Sequence, residues 1–316
     1  MILMKYYHLL LLSLTALACT LFAGCTDDEE KPGKEDWVLV WADEFDESTP
    51  DNKPDPSKWI YETGAGGNGN NELQIYTDRA ENASLTSYKG LGCLKITALN
   101  DNYRGVAYSS ARIKTEGLFQ QAYGRFEARM QLPYGPGIWP AFWLLGADYN
   151  TVGWPRCGEI DIMENKGWQP GVVSSALHFP GHSGGNPITQ TFGYEHSRFD
   201  TDFHLYAVEW DETKIDFYVD NTLYKRVKTS DADGGEWVFD HPFFIILNLA
   251  VGGDFVGNPT EDTVFPQNLY IDYVRVYRKS SAPAQNTRPG GKVNPNGNID
   301  GWEDKDSDKG TITPEL

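Results

Sequence analysis

Apolar and polar residues alternate with a period of two over much of this chain, the pattern of strands with one face buried. In Gly124-Arg125-Phe126-Glu127-Ala128-Arg129-Met130-Gln131-Leu132 the even positions are apolar and the odd ones polar. Lys214-Ile215-Asp216-Phe217-Tyr218-Val219 breaks at Asp220-Asn221 and resumes at Leu223, a hairpin signature. Phe243 to Val251 is nearly all apolar, as expected of a strand covered on both faces. No long stretch carries the 3.6-residue apolar period of an amphipathic helix. Strands separated by turn residues, without helices, predict an all-β fold, a two-sheet β-jelly-roll sandwich.

The alternating region runs over residues 37–279, a length that one all-β domain reaches without splitting. The ends read differently. Lys5 precedes an apolar run, Leu9 to Leu14, that continues through Leu17, Leu21 and Phe22, so residues 1–24 read as a secretory signal peptide. The run closes on Leu21-Phe22-Ala23-Gly24-Cys25, which resembles a bacterial lipobox and implies cleavage before Cys25 and acylation of its thiol. The acidic run Thr26-Asp27-Asp28-Glu29-Glu30 resembles the export tag of outer-membrane lipoproteins displayed at the cell surface. Residues 25–36 are expected to be a tether. Residues 280–316, rich in Pro, Gly, Asn and Asp, read as a disordered tail. There Asp304, Asp306, Asp308 and Glu315 mimic a calcium loop, but Lys309 stands where that loop needs glycine.

The formal net charge of −18 excludes nucleic acid as a partner and makes a neutral polymer easier to bind than a polyanion. Apart from the leader's Cys19 and Cys25, the cysteines are Cys93 and Cys157. They fit either one disulfide or two buried thiols. No metal-finger spacing exists, no second subunit is expected, and no catalytic cofactor is implied.

The chemistry concentrates in Gly158-Glu159-Ile160-Asp161-Ile162-Met163-Glu164-Asn165. On a strand, Glu159 and Asp161 share one face and Ile160 and Ile162 the other. Strict alternation would send Glu164 into the core, where an unpaired carboxylate is costly. A one-residue β-bulge at Ile162-Met163 restores parity and gathers all three acids on one face. Crowded acids raise at least one pKa, and glycoside cleavage needs one ionised carboxylate and one protonated carboxyl. Retaining enzymes hold the pair about 5–5.5 Å apart. On this reading Glu159 is the nucleophile, Glu164 the general acid/base, and Asp161 hydrogen-bonds Glu159. A solvated acidic face or a calcium site is the competing reading of the bare acidic pattern.

Upstream lies Tyr134-Gly135-Pro136-Gly137-Ile138-Trp139-Pro140-Ala141-Phe142-Trp143-Leu144-Leu145-Gly146. With it the chain resembles the family 16 glycoside hydrolases, and among them the laminarinase-like β-1,3(4)-glucanases. The resemblance includes Trp41–Phe45, Asn70–Thr77, Ser110–Thr115, Gly158–Asn165, Ala176–Phe179, Leu247–Gly253 and Ile271–Tyr277. It implies a jelly roll with a concave cleft, and endo-acting hydrolysis of β-glucan with retention through a covalent intermediate. The bulged acidic motif resembles the laminarinase branch. The resemblance carries substrate contacts to Asn70, Arg112, Trp139, Trp143, Trp154 and His178, with Trp139 the favoured sugar platform. Asn248, in an apolar strand, needs hydrogen-bond partners. A structural calcium ion at Glu44, Gly92 and Asp272, held mostly by backbone carbonyls, is also implied. The linkage cut stays open between β-1,3, mixed β-1,3/1,4 and galactan polymers.

Two other patterns compete with this reading. Gly181-His182-Ser183-Gly184-Gly185 matches a nucleophile elbow, but Asn186-Pro187 is poor context for the helix that must follow. A carbohydrate-binding jelly roll would need aromatic platforms without the acid pair.

Overall fold

A computed structural model of the chain describes residues 37–46, 48–285 and 287. The expected signal peptide, the lipidation site Cys25, the tether and the Asp304–Glu315 pattern lie outside the described residues. In chain order the strands begin with β1 (Trp37–Asp43), β2 (Ile60–Glu62), β3 (Gln74–Tyr76), β4 (Ala83–Tyr88), β5 (Leu91–Ala98), β6 (Tyr108–Ser110), β7 (Arg112–Lys114) and β8 (Gly124–Gln131). They continue with β9 (Ile138–Gly146), β10 (Glu159–Asn165), β11 (Val173–His178), β12 (Ile188–Phe192), β13 (His204–Trp210), β14 (Lys214–Val219), β15 (Thr222–Lys228), β16 (Phe243–Val251) and β17 (Gln267–Lys279).

Two antiparallel sheets form. One runs β12-β11-β10-β9-β16-β7-β2; the other runs β15-β14-β13-β8-β17-β5-β4, with β1 also on β17. Inward residues of both sheets meet in one core, including Phe126, Ala128 and Met130 of β8, Phe142 and Leu144 of β9, Ile160 and Ile162 of β10, and Ile245, Leu247 and Leu249 of β16. Each large side chain so buried contributes about 1.5–3 kcal/mol. The expected all-β sandwich is the fold observed.

Local details follow the pattern. Val219 pairs with Thr222 across Asp220 (φ 47°) and Asn221 (φ 64°), a two-residue turn whose left-handed residues match strand twist. All nine residues of β16 are buried: one face lines the core, and the other packs beneath Trp139, Trp143 and Leu145. The polar face of β8 departs from simple exposure. Arg125 and Glu127 are buried, joined at 2.7 Å, with Glu209 and the Tyr277 hydroxyl completing their partners.

The domain does not stop at residue 279. Gln285 Oε1 accepts from Ala122 N and the Thr287 carbonyl accepts from Gln120 N, so the segment after β17 packs back onto the fold. Cys93 and Cys157 are buried free thiols, and burial pushes each up to about 12, which makes them inert.

Candidate active site

Gly158 opens β10 with φ +71°, and a Cβ there would meet Phe243 Cζ at 2.8 Å, so glycine alone fits. Beyond it the acidic strand departs from regular pleating where parity required. Asp161 pairs with Trp143 and Glu164 with Ala141 on β9, three steps against two. The same surplus stands against β11, where Asp161 pairs with Ala176 and Glu164 with Ser174. Ile162 and Met163 are both buried in the core, and Glu164 is on the outer face with Glu159 and Asp161.

Register across the sheet arranges the site as rows. Arg112, Asn248, Ala141, Glu164 and Ser174 stand opposite one another on five neighbouring strands. The next row is Lys114, Ile246, Trp143, Asp161 and Ala176, and then come Phe244, Leu145, Glu159 and His178.

Each glutamate holds an indole. Trp154 Nε1 donates to Glu159 Oε2 at 3.1 Å, and Trp139 Nε1 donates to Glu164 Oε1 at 3.0 Å. Trp154 is 44% exposed, whereas Trp139 is 9% exposed and packs against Ala250, Val256 and Phe255. Trp139 therefore serves as a carboxylate donor, and Trp154 offers the larger open ring surface, which reverses the expected order of the two as sugar platforms. Trp143 Nε1 donates to Asn248 Oδ1 at 2.7 Å, and Asn248 Nδ2 donates to the Tyr76 hydroxyl at 3.3 Å. These are the partners a buried asparagine needed.

Both glutamates are pushed up to about 7, Glu164 by burial and Glu159 by burial together with the charge of Glu164. The Trp154 hydrogen bond, the Arg112 charge and a hydrogen bond from Asp161 pull Glu159 back towards its anion. Glu164 is pulled back by Trp139 and the Lys166 ammonium. Asp161, 5% exposed, is raised well above the carboxylate range by burial and by both glutamates, so it is the protonated partner of Glu159. His178 Nε2 lies 3.4 Å from Asp161 Oδ2 and 3.7 Å from Glu159 Oε1. Burial lowers His178 to about 4, so its imidazole is neutral at neutral pH.

Arg112 sits over the Tyr76 ring at 4.8 Å and the Trp143 ring at 5.6 Å, with Glu62 at 3.0 Å and Glu72 at 3.6 Å. Glu72 Oε2 also accepts from Asn68 Nδ2, Gln74 Nε2 and the Tyr76 hydroxyl. This brace was not anticipated, although residues 72, 74 and 76 share strand parity. Asn70 is exposed on the neighbouring loop; its carbonyl accepts from Asp254 N and lies against Gly253, beside Trp139.

Glu44 is paired through both oxygens with Arg275 at 2.8 Å, and Asp272 Oδ2 accepts from Arg129 Nη1 at 2.5 Å. Gly92 packs against the backbone of Phe45 and Asp46. Two of the three residues expected to hold calcium thus balance arginines, and only backbone carbonyls suit a cation there. The Gly181–Gly185 elbow pattern lies in the connection between β11 and β12, with no helix after it, and His182 Nε2 lies 2.8 Å from the Ala232 carbonyl.

Comparison with known proteins gives the same reading. The chain is 42% identical over 277 residues to a beta-glucanase of Rhodothermus marinus, covering 84% of this chain and 94% of that one. It is 38% identical to glucan endo-1,3-beta-glucosidase A1 of Niallia circulans, across 76% of this chain but 38% of that longer protein. The catalytic domain of an endo-1,3-beta-glucanase (laminarinase) from Thermotoga petrophila superposes with a TM-score of 0.73 at 46% identity, covering 78% of this chain and 100% of that one. Residues 57–275 match the model of the family described as glycosyl hydrolases family 16. A bulged strand with two indole-bound glutamates, relatives of this identity and a match spanning most of the sandwich agree: the chain belongs to glycosyl hydrolases family 16.

Proposed function

We propose that this chain is an endo-acting, retaining β-glucanase that hydrolyses β-1,3- and mixed-linkage β-1,3/1,4-glucans by double displacement. The observation that carries the reading is the bulge between Asp161 and Glu164, which puts Glu159 and Glu164 on one face, each accepting from an indole. Glu159 attacks the anomeric carbon as its anion, while the Glu164 carboxyl gives its proton to the departing glycosidic oxygen. The glycosyl–Glu159 ester forms and the leaving chain departs neutral. Glu164, now a carboxylate, takes a proton from water; that water attacks the same carbon, freeing Glu159 and reprotonating Glu164. Asp161 donates its proton to Glu159 as a hydrogen bond and holds its orientation. Trp154 offers an apolar plate to a sugar face, and Arg112 and Asn248 stand in the row that contains Glu164. No step calls on a metal.

The substrate follows from the relatives' named activities, a beta-glucanase and endo-1,3-beta-glucosidases among them, and from an acidic chain that suits a neutral polymer. Parallel digestion of laminarin, barley glucan and agarose, with product sizing, tests it. Rapid loss of polymer length on the two glucans and none on agarose is expected. Cleavage of agarose alone would replace glucan by galactan.

Export as a surface lipoprotein belongs to the same proposal, supported by Leu21–Cys25 and the acidic run after it. Palmitate labelling of the full chain, lost in Cys25→Ala, is the test.

A further inference from the structure

Glu159, Asp161 and His178 also bring together three atoms that can hold a metal ion. One donor atom from each, the two carboxylate oxygens and an imidazole nitrogen, lies within 4.8 Å of the others. Two of the edges are 3.4 Å (His178 Nε2 to Asp161 Oδ2) and 3.7 Å (His178 Nε2 to Glu159 Oε1). A tetrahedral zinc ion with bonds of about 2.0–2.1 Å has ligand–ligand edges of about 3.3–3.4 Å, so small side-chain shifts close the triangle.

A second observation points the same way. Asp161 Oδ2 is buried and has no hydrogen-bond partner, on a side chain 5% exposed and aimed at His178. Trp154 occupies Glu159 Oε2, which leaves Oε1 on the side facing the imidazole.

The geometry points to a binding site for a borderline divalent cation such as Zn2+ or Cu2+ on Glu159, Asp161 and His178, whose occupancy blocks the reaction. Blocking rests on the glucanase reading; binding does not. Imidazole nitrogen and carboxylate oxygen are both donors that zinc accepts at about 2.0–2.2 Å, whereas Mg2+ demands near-octahedral oxygen coordination and gives up its water reluctantly. A bound ion would displace the Asp161 proton to solvent and tie up the carboxylate that must attack the sugar. His178 Nδ1 is buried without a partner, so the site lacks the outer brace of resident zinc centres. Reversible binding in the micromolar range is therefore expected.

Calorimetric titration with Zn2+ and with Mg2+ tests this on the wild type, His178→Gln and Asp161→Asn, with thermal melts verifying that each is folded. Wild type should take one Zn2+ per chain and no Mg2+; each variant should bind Zn2+ about tenfold more weakly or worse. Zinc should also inhibit glucan hydrolysis in competition with substrate. Equal zinc binding by folded variants, or none by the wild type, overturns the inference. Zinc binding by a wild type that cuts no polysaccharide would sink the glucanase reading and leave this one standing, and hydrolysis without zinc binding would do the reverse.

Discussion

Trp139 Nε1 donates to Glu164 Oε1 at 3.0 Å, and the two meet because β10 carries one residue more than β9 between Asp161 and Glu164. Regular pleating would turn Glu164 between the sheets, where an unpaired carboxylate is costly.

Two single-residue deletions separate face from spacing. Removing Met163 restores simple alternation, with Glu159, Asp161 and Glu164 still outward and the isoleucines inward. Removing Ile160 leaves the same spacing between the glutamates but turns Asp161 into the core and Ile162 outward. The chain without Met163 is expected to fold, to lose about 2–5 kcal/mol with its buried side chain, and to keep measurable hydrolysis. The chain without Ile160 is expected to be insoluble or unfolded. Circular dichroism and reducing-sugar release check both.

The two indoles should move opposite limbs of the pH–rate curve. Glu159 must be ionised and Glu164 protonated, which gives a bell. Each indole lowers the pKa of the glutamate it touches. Trp154→Phe should therefore shift the acidic limb of kcat/KM upward, and Trp139→Phe should shift its basic limb upward. Movement of the same limb by both substitutions would contradict the assignment.

The bulge was legible in the sequence because parity is local: five positions separate Glu159 from Glu164 and side chains alternate by two. The Asp220-Asn221 turn was legible for the same reason. Long-range partners were not. Nothing local tells Glu44 that Arg275 will neutralise it, or Trp143 that Asn248 will accept from it 105 residues away. The burial of Trp139 depends on Phe255, which reaches it from the loop after β16. The packing of Gln285 and Thr287 escaped because the segment has too little apolar content to show a period.

Glu164 should cost the fold stability when ionised. Its folded pKa is raised to about 7, so the stability of its neutral form is complete below the unfolded value of about 4.3 and is lost as pH rises through 7. Glu164→Gln, which cannot ionise, should match the parent at pH 4 and exceed it at pH 8 by on the order of 1 kcal/mol or more. Denaturant midpoints at the two pH values provide the check.

Arg112→Met should destabilise strongly, because Glu72 is buried and keeps only uncharged partners once the guanidinium is gone. A loss of about 3–5 kcal/mol is expected, and Glu72→Gln in the same chain should recover part of it. No recovery in the double variant would deny the coupling.

The roles of the two glutamates are separated most directly by azide rescue of Glu159→Ala and Glu164→Ala on an activated β-glucoside, with the anomeric configuration of the product read by NMR. Without the nucleophile, azide attacks the face that Glu159 occupied, and an α-glycosyl azide is expected. Without the acid/base, the Glu159 ester still forms and azide displaces it, so a β-glycosyl azide is expected. Interchanged configurations would exchange the two roles, and unimpaired hydrolysis by either variant would remove that glutamate from the chemistry.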